Sequence, residues 1–129
     1  MKKLWYLILG LLAAGTGVAV VVTQHTGLWQ LVIFAIAPDL ALIYGAAPGL
    51  ARGQIHPRAV PVYNAVHRFW APGVLIAVGL AAGPAWLAAG NAWIAHIAFD
   101  RSLGFGLRTP EGFQRDAASR AASDGRYRS

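Results

Sequence analysis

The chain has 129 residues, of which 57% are hydrophobic and only 12% are charged, about half the charged fraction that is usual in soluble proteins. It contains no cysteine, so disulfide bonds, thiolate-ligated zinc and thiol catalysis are excluded. The net charge of +6 comes from basic residues at the ends of apolar runs and in the C-terminal part, which indicates a membrane protein rather than a nucleic-acid-binding one.

Four apolar runs predict an all-α fold, a four-helix transmembrane bundle over residues 1–108. The first run, residues 4–23, follows two lysines and is long enough to cross about 30 Å of hydrocarbon. It is longer than the apolar core of a signal peptide, which has roughly 7–15 residues, so we expect a retained helix. The other three helices are predicted over residues 28–47, 60–80 and 85–100.

The second run contains a carboxylate in the middle of the predicted span. Trp29 and Tyr44 mark the two ends of this helix, as interfacial aromatic residues do. Pro38 removes a backbone hydrogen bond, and Asp39 follows it directly. Asp39 could accept hydrogen bonds from freed backbone donors or pair with an arginine. A carboxylate at this depth more strongly favours a metal ligand or a proton carrier.

The third run begins with two polar residues on one helix face, Asn64 and His67, which are three residues apart. Pro72 removes the hydrogen bond to the carbonyl of Arg68, so a kink is expected just after His67. A lone histidine here could simply bond a neighbouring helix. Because polar groups recur on the other helices, a ligand or catalytic role is favoured for His67.

The fourth run ends with His96 and Asp100, which are four residues apart and therefore one helical turn apart on the same face. Arg101 follows directly. A minimal turn at residues 81–84 makes the third and fourth helices antiparallel neighbours. Because ionisable residues are expensive within a membrane, this group predicts a functional site.

The basic residues alternate between the predicted loops. Lys2 and Lys3 precede the first helix, Arg52 and Arg58 lie in the second loop, and the first and third loops contain none. Six arginines follow the fourth helix: Arg101, Arg108, Arg115, Arg120, Arg126 and Arg128. This pattern predicts a multi-pass protein of the bacterial inner (cytoplasmic) membrane with both termini cytoplasmic. Residues 109–129 are polar and small, and they predict a mobile C-terminal tail.

In this topology three helices deliver Asp39, Asn64, His67, His96 and Asp100 to the cytoplasmic half of the bundle. Two imidazoles and two carboxylates suit a divalent ion such as zinc, manganese or iron, and helix bundles build metal sites from facing side chains. We predict that Asp39, His67, His96 and Asp100 ligate the metal. Asn64 is expected to take part in catalysis by orienting water or a ligand.

A bound ion with an open position would activate water for hydrolysis of an ester or phosphoester. Arg101 is expected to hold an anionic group at the catalytic centre, and Arg68 and Arg108 to contact a phosphate or an anionic lipid headgroup. The chain has no HExxH motif, no Gly-rich phosphate loop and no nucleophile elbow. The predicted function is membrane-bound, metal-dependent hydrolysis of a lipid-like or phosphorylated substrate.

The same residues support three alternative interpretations. His67 and His96 could be the axial ligands of a haem or another pigment, although the two neighbouring acids argue against this. The set could also be a structural network, with Asp39 paired to His67 and Asp100 to an arginine, in a non-catalytic accessory subunit of a larger membrane complex. The third interpretation is a proton or ion pathway. It would run through a homo-oligomer, because four helices alone enclose little space. No interpretation involves nucleic acid, and each has the lipid bilayer as a partner.

Three phrases of the sequence resemble a known family. They are Pro38-Asp39-Leu40 with Tyr44-Gly45, Tyr63-Asn64-Ala65-Val66-His67 with Pro72, and residues 93–107, which read WxAHxxxDRxxGxGL. Over about residues 29–113 the chain resembles small bacterial four-helix membrane proteins known only as a domain of unknown function. The resemblance implies that architecture and supplies no activity.

More loosely, the His and Asp pattern is similar to that of membrane-bound metal-dependent hydrolases. Two features depart from the family pattern. The loop over residues 48–61 is longer, and the family's Thr-His-Leu phrase is replaced here by Gln114-Arg115-Asp116-Ala117.

Overall fold

Helices joined by turns and loops make up most of residues 2–115, the part of the chain that a computed structural model describes. Within this part the one β-type pairing is an isolated bridge between Arg108 and Gln114, so the predicted all-α class is confirmed. The α-helices are α1 (Lys2–Gln24), α2 (Leu28–Ile36), α3 (Leu40–Tyr44), α4 (Val60–Val66), α5 (Trp70–Ala82) and α6 (Pro84–Ser102). Short 3-10 helices cover Ala37–Asp39 and Pro57–Ala59.

Helix α6 is the centre of the fold, because α1, α2 and α5 all pack against it. Its small residues are buried, and Ala88 and Ala98 are fully enclosed. Helix α1 runs antiparallel to α6, with Gly10 against Phe99 and Gly17 against Ala88. A Cβ on Gly10 would lie 2.7 Å from the ring of Phe99, so glycine permits this close contact.

Helices α2 and α5 cover other sides of α6. Phe34 of α2 packs on Trp93, with the ring centroids 5.7 Å apart, and the carbonyl of Ala35 accepts a hydrogen bond from His96. These contacts follow the same order along both helices, so α2 is parallel to α6. Helix α5 returns antiparallel through the turn at Gly83, whose φ of 131° favours glycine.

Two of the predicted helices are interrupted. The helix expected over 28–47 changes to a 3-10 turn at Ala37–Asp39 and resumes as α3, because Pro38 has no N–H for the helical hydrogen-bond pattern. The helix expected over 60–80 breaks between α4 and α5, and the segments on either side are bent by 45°. The kink predicted just after His67 is therefore confirmed.

Helix α1 is the one described helix that is long and apolar enough to cross a membrane by itself. The bent pair Pro57–Val66 and Trp70–Ala82 would form a second span if it crosses as one unit, and Leu28–Tyr44 is apolar but shorter. Helix α6, predicted as the fourth span, does not meet the same test. It carries His96, Asp100 and Arg101, and its neighbours bury much of it. The four-span arrangement stays a prediction.

Structure continues beyond residue 108, the predicted end of the domain. The guanidinium of Arg108 donates hydrogen bonds to the carbonyls of Gly53 and Gly112, and the side chain of Gln54 donates one to the carbonyl of Glu111. These bonds hold residues 109–115 against the loop between α3 and α4, so this part of the predicted tail has fixed partners. The remainder of that prediction lies outside the described residues.

Candidate metal centre

The structure brings together the four residues for which the sequence predicts metal ligation. Nε2 of His96 lies 3.1 Å from Oδ1 of Asp39 and 3.3 Å from Oδ2 of Asp100. Nε2 of His67 lies 3.5 Å and 3.4 Å from the same two oxygens. All four atoms are within 4.8 Å of one another. A tetrahedron with metal–ligand bonds of about 2.1 Å has edges of about 3.4 Å, so these four separations fit a metal ion.

Both histidines are oriented by a backbone carbonyl at the other ring nitrogen. Nδ1 of His96 lies 2.7 Å from the carbonyl oxygen of Ala35, and Nδ1 of His67 lies 2.8 Å from that of Tyr63. A carbonyl oxygen can only accept, so each Nδ1 carries the proton and donates it. A neutral imidazole then presents an unprotonated Nε2 to the centre, which is the tautomer that ligates a metal.

Without a cation or added protons, the four side chains of the centre repel each other electrostatically. With neutral imidazoles, two nitrogen lone pairs face two carboxylate oxygens, an arrangement of like partial charges. The side chain of His67 is 2% exposed, and its Nε2 makes no hydrogen bond within the described part of the chain. A buried polar atom left without a partner costs about 1–3 kcal/mol. A divalent ion, or protonation of the imidazoles, would remove this cost.

The breaks in the helices position two of the four candidate ligands. Asp39 ends the 3-10 turn at Pro38, and His67 caps the C-terminus of α4. At the second break Trp93 donates a hydrogen bond of 2.7 Å to the carbonyl of Val66, and Arg101 donates one of 3.2 Å to the carbonyl of His67. Helix α6 therefore carries His96 and Asp100 and also holds the segment that carries His67.

The family to which the sequence can be matched assigns no chemistry to this centre. A family model described as Domain of unknown function (DUF4260) matches residues 3–118. The chain belongs to this family. No curated protein and no solved structure matches the chain. The resemblance based on sequence motifs is thus confirmed as membership of an uncharacterised family, while its bacterial and membrane character stays a prediction.

Tyr63 also contacts the candidate metal centre, although the sequence pattern predicted no role for it. Tyr63 is 3% exposed, and its ring stacks on the imidazole of His67 with the centroids 3.9 Å apart. The guanidinium carbon of Arg108 lies 4.8 Å from the same ring. The spacing of four residues between Tyr63 and His67 was the available signal, because it places them on one helix face. Tyr63 positions the imidazole and shields it.

Two predicted site residues have structural partners instead. The amide of Asn64 donates to the carbonyl of Arg108 at 3.0 Å and accepts from its backbone N–H at 2.7 Å. Both polar atoms of Asn64 therefore bind the backbone of the segment after α6. The sequence had predicted that they orient water or a ligand. The guanidinium of Arg108, expected at a headgroup, is buried and donates to backbone carbonyls because the segment after Arg108 folds over it.

The other two predicted anion-binding residues are on the surface or near it. Arg68 is exposed in the turn between α4 and α5, and the structure does not test its predicted role with a headgroup. Arg101 is partly buried, and it adjoins the centre through its hydrogen bond to the carbonyl of His67. Four predicted site residues are not candidate ligands: Asn64, Arg68, Arg101 and Arg108. Among them, Arg101 is the one whose side chain forms a hydrogen bond with a candidate ligand residue.

A cavity of about 390 Å³ opens beside the centre, between α1, α2 and α6. The side chains of Asp39, His96 and Asp100 form its polar end. Its walls are apolar and include Ala14, Val18, Leu31, Ala35 and Phe99. The side chain of Asp39 is 46% exposed and that of Asp100 is 25% exposed, so both carboxylates can be reached from the cavity.

Proposed function

We propose that the chain is an integral membrane protein that binds a divalent metal ion and hydrolyses a lipid-like or phosphorylated substrate. Asp39, His67, His96 and Asp100 would ligate zinc, manganese or iron, all of which accept nitrogen and carboxylate donors. The observation that carries the proposal is the convergence of these four ligand atoms within 4.8 Å. The backbone bonds that keep both histidines in the ligating tautomer support it independently.

The apolar surface supports a membrane location. Large hydrophobic side chains are exposed along the outer faces of α1, α2 and α5, including Leu12 at 65%, Trp29 at 75% and Leu80 at 77%. Soluble monomers rarely expose contiguous apolar surface on this scale. Helix α1 is mostly exposed, unlike the core helix of a soluble protein, and the contacts of Gly10 and Gly17 with α6 favour a retained helix over a cleaved signal.

We propose four spans, with α2–α3 and α4–α5 each crossing as one broken unit and both termini cytoplasmic. The helix directions support this arrangement, since α1 and α5 run antiparallel to α6 and α2 runs parallel to it. The kinked spans are compatible with a membrane because side chains of α6 satisfy the carbonyls freed at the second break. The distribution of basic residues supports a location in the bacterial inner membrane.

A bound ion would polarise a substrate oxygen and lower the pKa of a water ligand. The side chains of this protein would supply orientation and access. Asp39 is the most exposed ligand and borders the cavity, so substrate and water would approach from its side. The apolar walls suit an acyl chain, which favours a lipid-like substrate. Arg101 would hold an anionic group near the ligands.

The test is hydrolysis of a panel of phospholipids and phosphomonoesters by detergent-purified protein, loaded with zinc or manganese or treated with chelator. We expect metal-dependent activity that Asp39→Asn reduces by more than about 100-fold, because even the outer partners of metal ligands contribute roughly 10- to 100-fold. The matched control is Glu111→Gln, which removes an exposed acid that is not part of the centre. Activity that survives chelation or the Asp39→Asn change would contradict the proposal.

The His–Asp contacts support a second candidate function, a non-catalytic subunit of a larger membrane complex. If the imidazoles are protonated, the four contacts of 3.1–3.5 Å become ion pairs that fasten α4 and the turn before α3 to α6. Partner subunits or further copies of the chain would then cover the apolar faces. Purification in mild detergent with a stoichiometric partner and without metal would favour this function.

Haem binding receives no support from the geometry. The macrocycle would have to lie between the Nε2 atoms of His67 and His96 as axial ligands. Oxygens of Asp39 and Asp100 lie within 3.5 Å of both nitrogens and occupy that space. A protein without a Soret absorption band is therefore expected.

A further inference from the structure

A basic cavity lies where α1 begins and α6 ends. Its volume is about 460 Å³, and four cationic side chains line it: Lys2, Lys3, Arg101 and Arg115. Within residues 2–115 no acidic side chain lines this cavity, and none of the four cations forms a salt bridge there. Four like charges around one opening repel each other, so an anion in the cavity would be stabilised.

Arg101 is held in a fixed orientation at this cavity. Its Nη1 lies 3.3 Å from the hydroxyl of Tyr6, and its Nη2 donates to the carbonyl of His67. The guanidinium carbon also lies 4.8 Å from the ring centroid of Phe69 and 5.5 Å from that of Tyr6. Arginine has five N–H donors, and these two hydrogen bonds use one N–H of Nη1 and one of Nη2. The remaining donors are available to a planar, bidentate acceptor such as phosphate.

The loop after α6 leaves room for Lys3 of α1 at the same cavity. Gly104 has a φ of 94°, a conformation that favours glycine. A Cβ at this position would lie 3.3 Å from Nζ of Lys3, so the absence of a side chain leaves room for the ammonium group. The first turn of α1 and the loop after α6 are thus in close contact, with the side chain of Lys3 against Gly104.

Exposed apolar side chains line the basic cavity or adjoin its lining residues in the sequence. Leu4 and Trp5 follow the two lysines and are 55% and 65% exposed, and Phe105, which lines the cavity, is 49% exposed. Cations next to exposed aromatic and aliphatic side chains are typical of the membrane interface, where headgroup phosphates lie. The basic cavity is therefore accessible both to a lipid headgroup and to a solute.

We propose that the basic cavity binds a phosphate group, carried either by an anionic phospholipid or by a soluble compound. A phosphate offers up to two negative charges and several acceptor oxygens, which match one fixed guanidinium and the mobile ammonium groups of two lysines. None of the four cations belongs to the set of metal ligands. The site goes beyond the proposed hydrolase function, although the two share Arg101. Because Arg101 lines the basic cavity and not the cavity beside the metal centre, phosphate binding is expected whether or not the metal centre is active.

The test is calorimetric titration of the purified full-length chain in an uncharged detergent. The probes are inorganic phosphate, dihexanoyl phosphatidylglycerol and, as a zwitterionic comparison, dihexanoyl phosphatidylcholine. Lys2→Gln/Lys3→Gln and Arg115→Gln alter exposed residues, so the fold should be retained, which an unchanged melting temperature verifies. Arg115→Gln is expected to weaken binding by about tenfold, the loss of one charge-assisted hydrogen bond, and the double variant, which removes two ammonium groups, by at least as much. Arg52→Gln is the control, since it removes an exposed charge outside the cavity.

The probes distinguish the two sources of phosphate. Binding of inorganic phosphate and phosphatidylglycerol, weakened by the same variants, would support recognition of the phosphate group itself. Binding of phosphatidylglycerol alone would support a headgroup site. The proposal is overturned if neither probe binds, if phosphatidylcholine binds as tightly as phosphatidylglycerol while inorganic phosphate does not bind, or if Arg52→Gln weakens binding as much as the cavity variants do.

Discussion

Removing one carboxylate from the centre should abolish most of the stabilisation that a metal ion provides. Asp39→Asn keeps the size of the side chain and removes its charge, and Asp39 is 46% exposed, so no cavity is created. In the metal-free protein the change should be small, because partly exposed charge contacts contribute at most about 1 kcal/mol. The effect should therefore be visible mainly when metal is present.

The magnitude follows from binding linkage. At a zinc concentration about 100 times the Kd, the ion stabilises the native protein by about 2.7 kcal/mol, which corresponds to roughly 10 °C in melting temperature for a chain of this size. If loss of Asp39 weakens binding by about 100-fold, the same zinc concentration provides only about 0.4 kcal/mol, or about 2 °C. Thermal unfolding in detergent, followed by tryptophan fluorescence with zinc and with chelator, measures both shifts.

The control for this experiment is Glu111→Gln, an exposed acid outside the four-residue set. It should show the full zinc-dependent shift of the unaltered protein. Equal zinc-dependent shifts in Asp39→Asn and in the unaltered protein would refute the assignment of Asp39 as a ligand. The absence of any shift with zinc, manganese or iron in the unaltered protein would refute the metal centre as a whole.

Three further predictions test the helix packing, the metal centre and the topology. Gly10→Ala should destabilise the protein by about 1–3 kcal/mol through overpacking, because its Cβ would lie 2.7 Å from an α6 ring. Gly15→Ala meets open space and should stabilise the protein slightly in thermal unfolding, by up to about 1 kcal/mol, because alanine favours a helix interior more than glycine does. Tyr63→Leu should weaken metal affinity by roughly 10-fold, measured by titration with zinc, because the ring that stacks on a ligand is lost, and an unchanged affinity would contradict that role. The chain has no cysteine, so His25→Cys and Arg52→Cys provide single reporters. An impermeant thiol reagent should label only the first in intact cells, and the opposite result would reverse the topology.

The sequence predicted which four side chains meet because each of them is marked by local chemistry. Pro38 next to Asp39 indicated a broken helix with a carboxylate at the break, and the spacing of His96 and Asp100 indicated one face of one helix. The structure joins these positions because the direction of α2 brings Asp39 to the same end of α6 as Asp100. The helix directions were predicted from the alternation of basic residues between the loops and from the minimal turn at residues 81–84, which is why convergence could be expected.

The sequence did not predict the partners of the ligands, because these depend on contacts between distant segments. The carbonyl that orients His96 belongs to Ala35, and a backbone acceptor leaves no residue-specific signal. Asn64 was assigned to catalysis because its spacing from His67 places the two side chains on one helix face. In the structure it binds the backbone of Arg108, 44 positions later in the chain. No local pattern could reveal that contact.

The basic cavity was missed for a related reason. Lys2 and Lys3 were interpreted as determinants of topology, and Arg115 was assigned to the tail. Their proximity to Arg101 arises because α1 packs antiparallel on α6 and residues 109–115 fold back. Apolar periodicity predicts that two helices pack, but the depth of their overlap depends on small residues such as Gly10 at the contact.

The most direct test of the central claim is the metal content of the detergent-purified protein, determined by elemental analysis beside a His67→Ala/His96→Ala double variant. The account predicts near-stoichiometric zinc, manganese or iron in the unaltered protein and its loss in the double variant. Purification without any of these metals, failure to take one up on incubation, and equal stability of the two proteins would contradict it and favour a structural subunit.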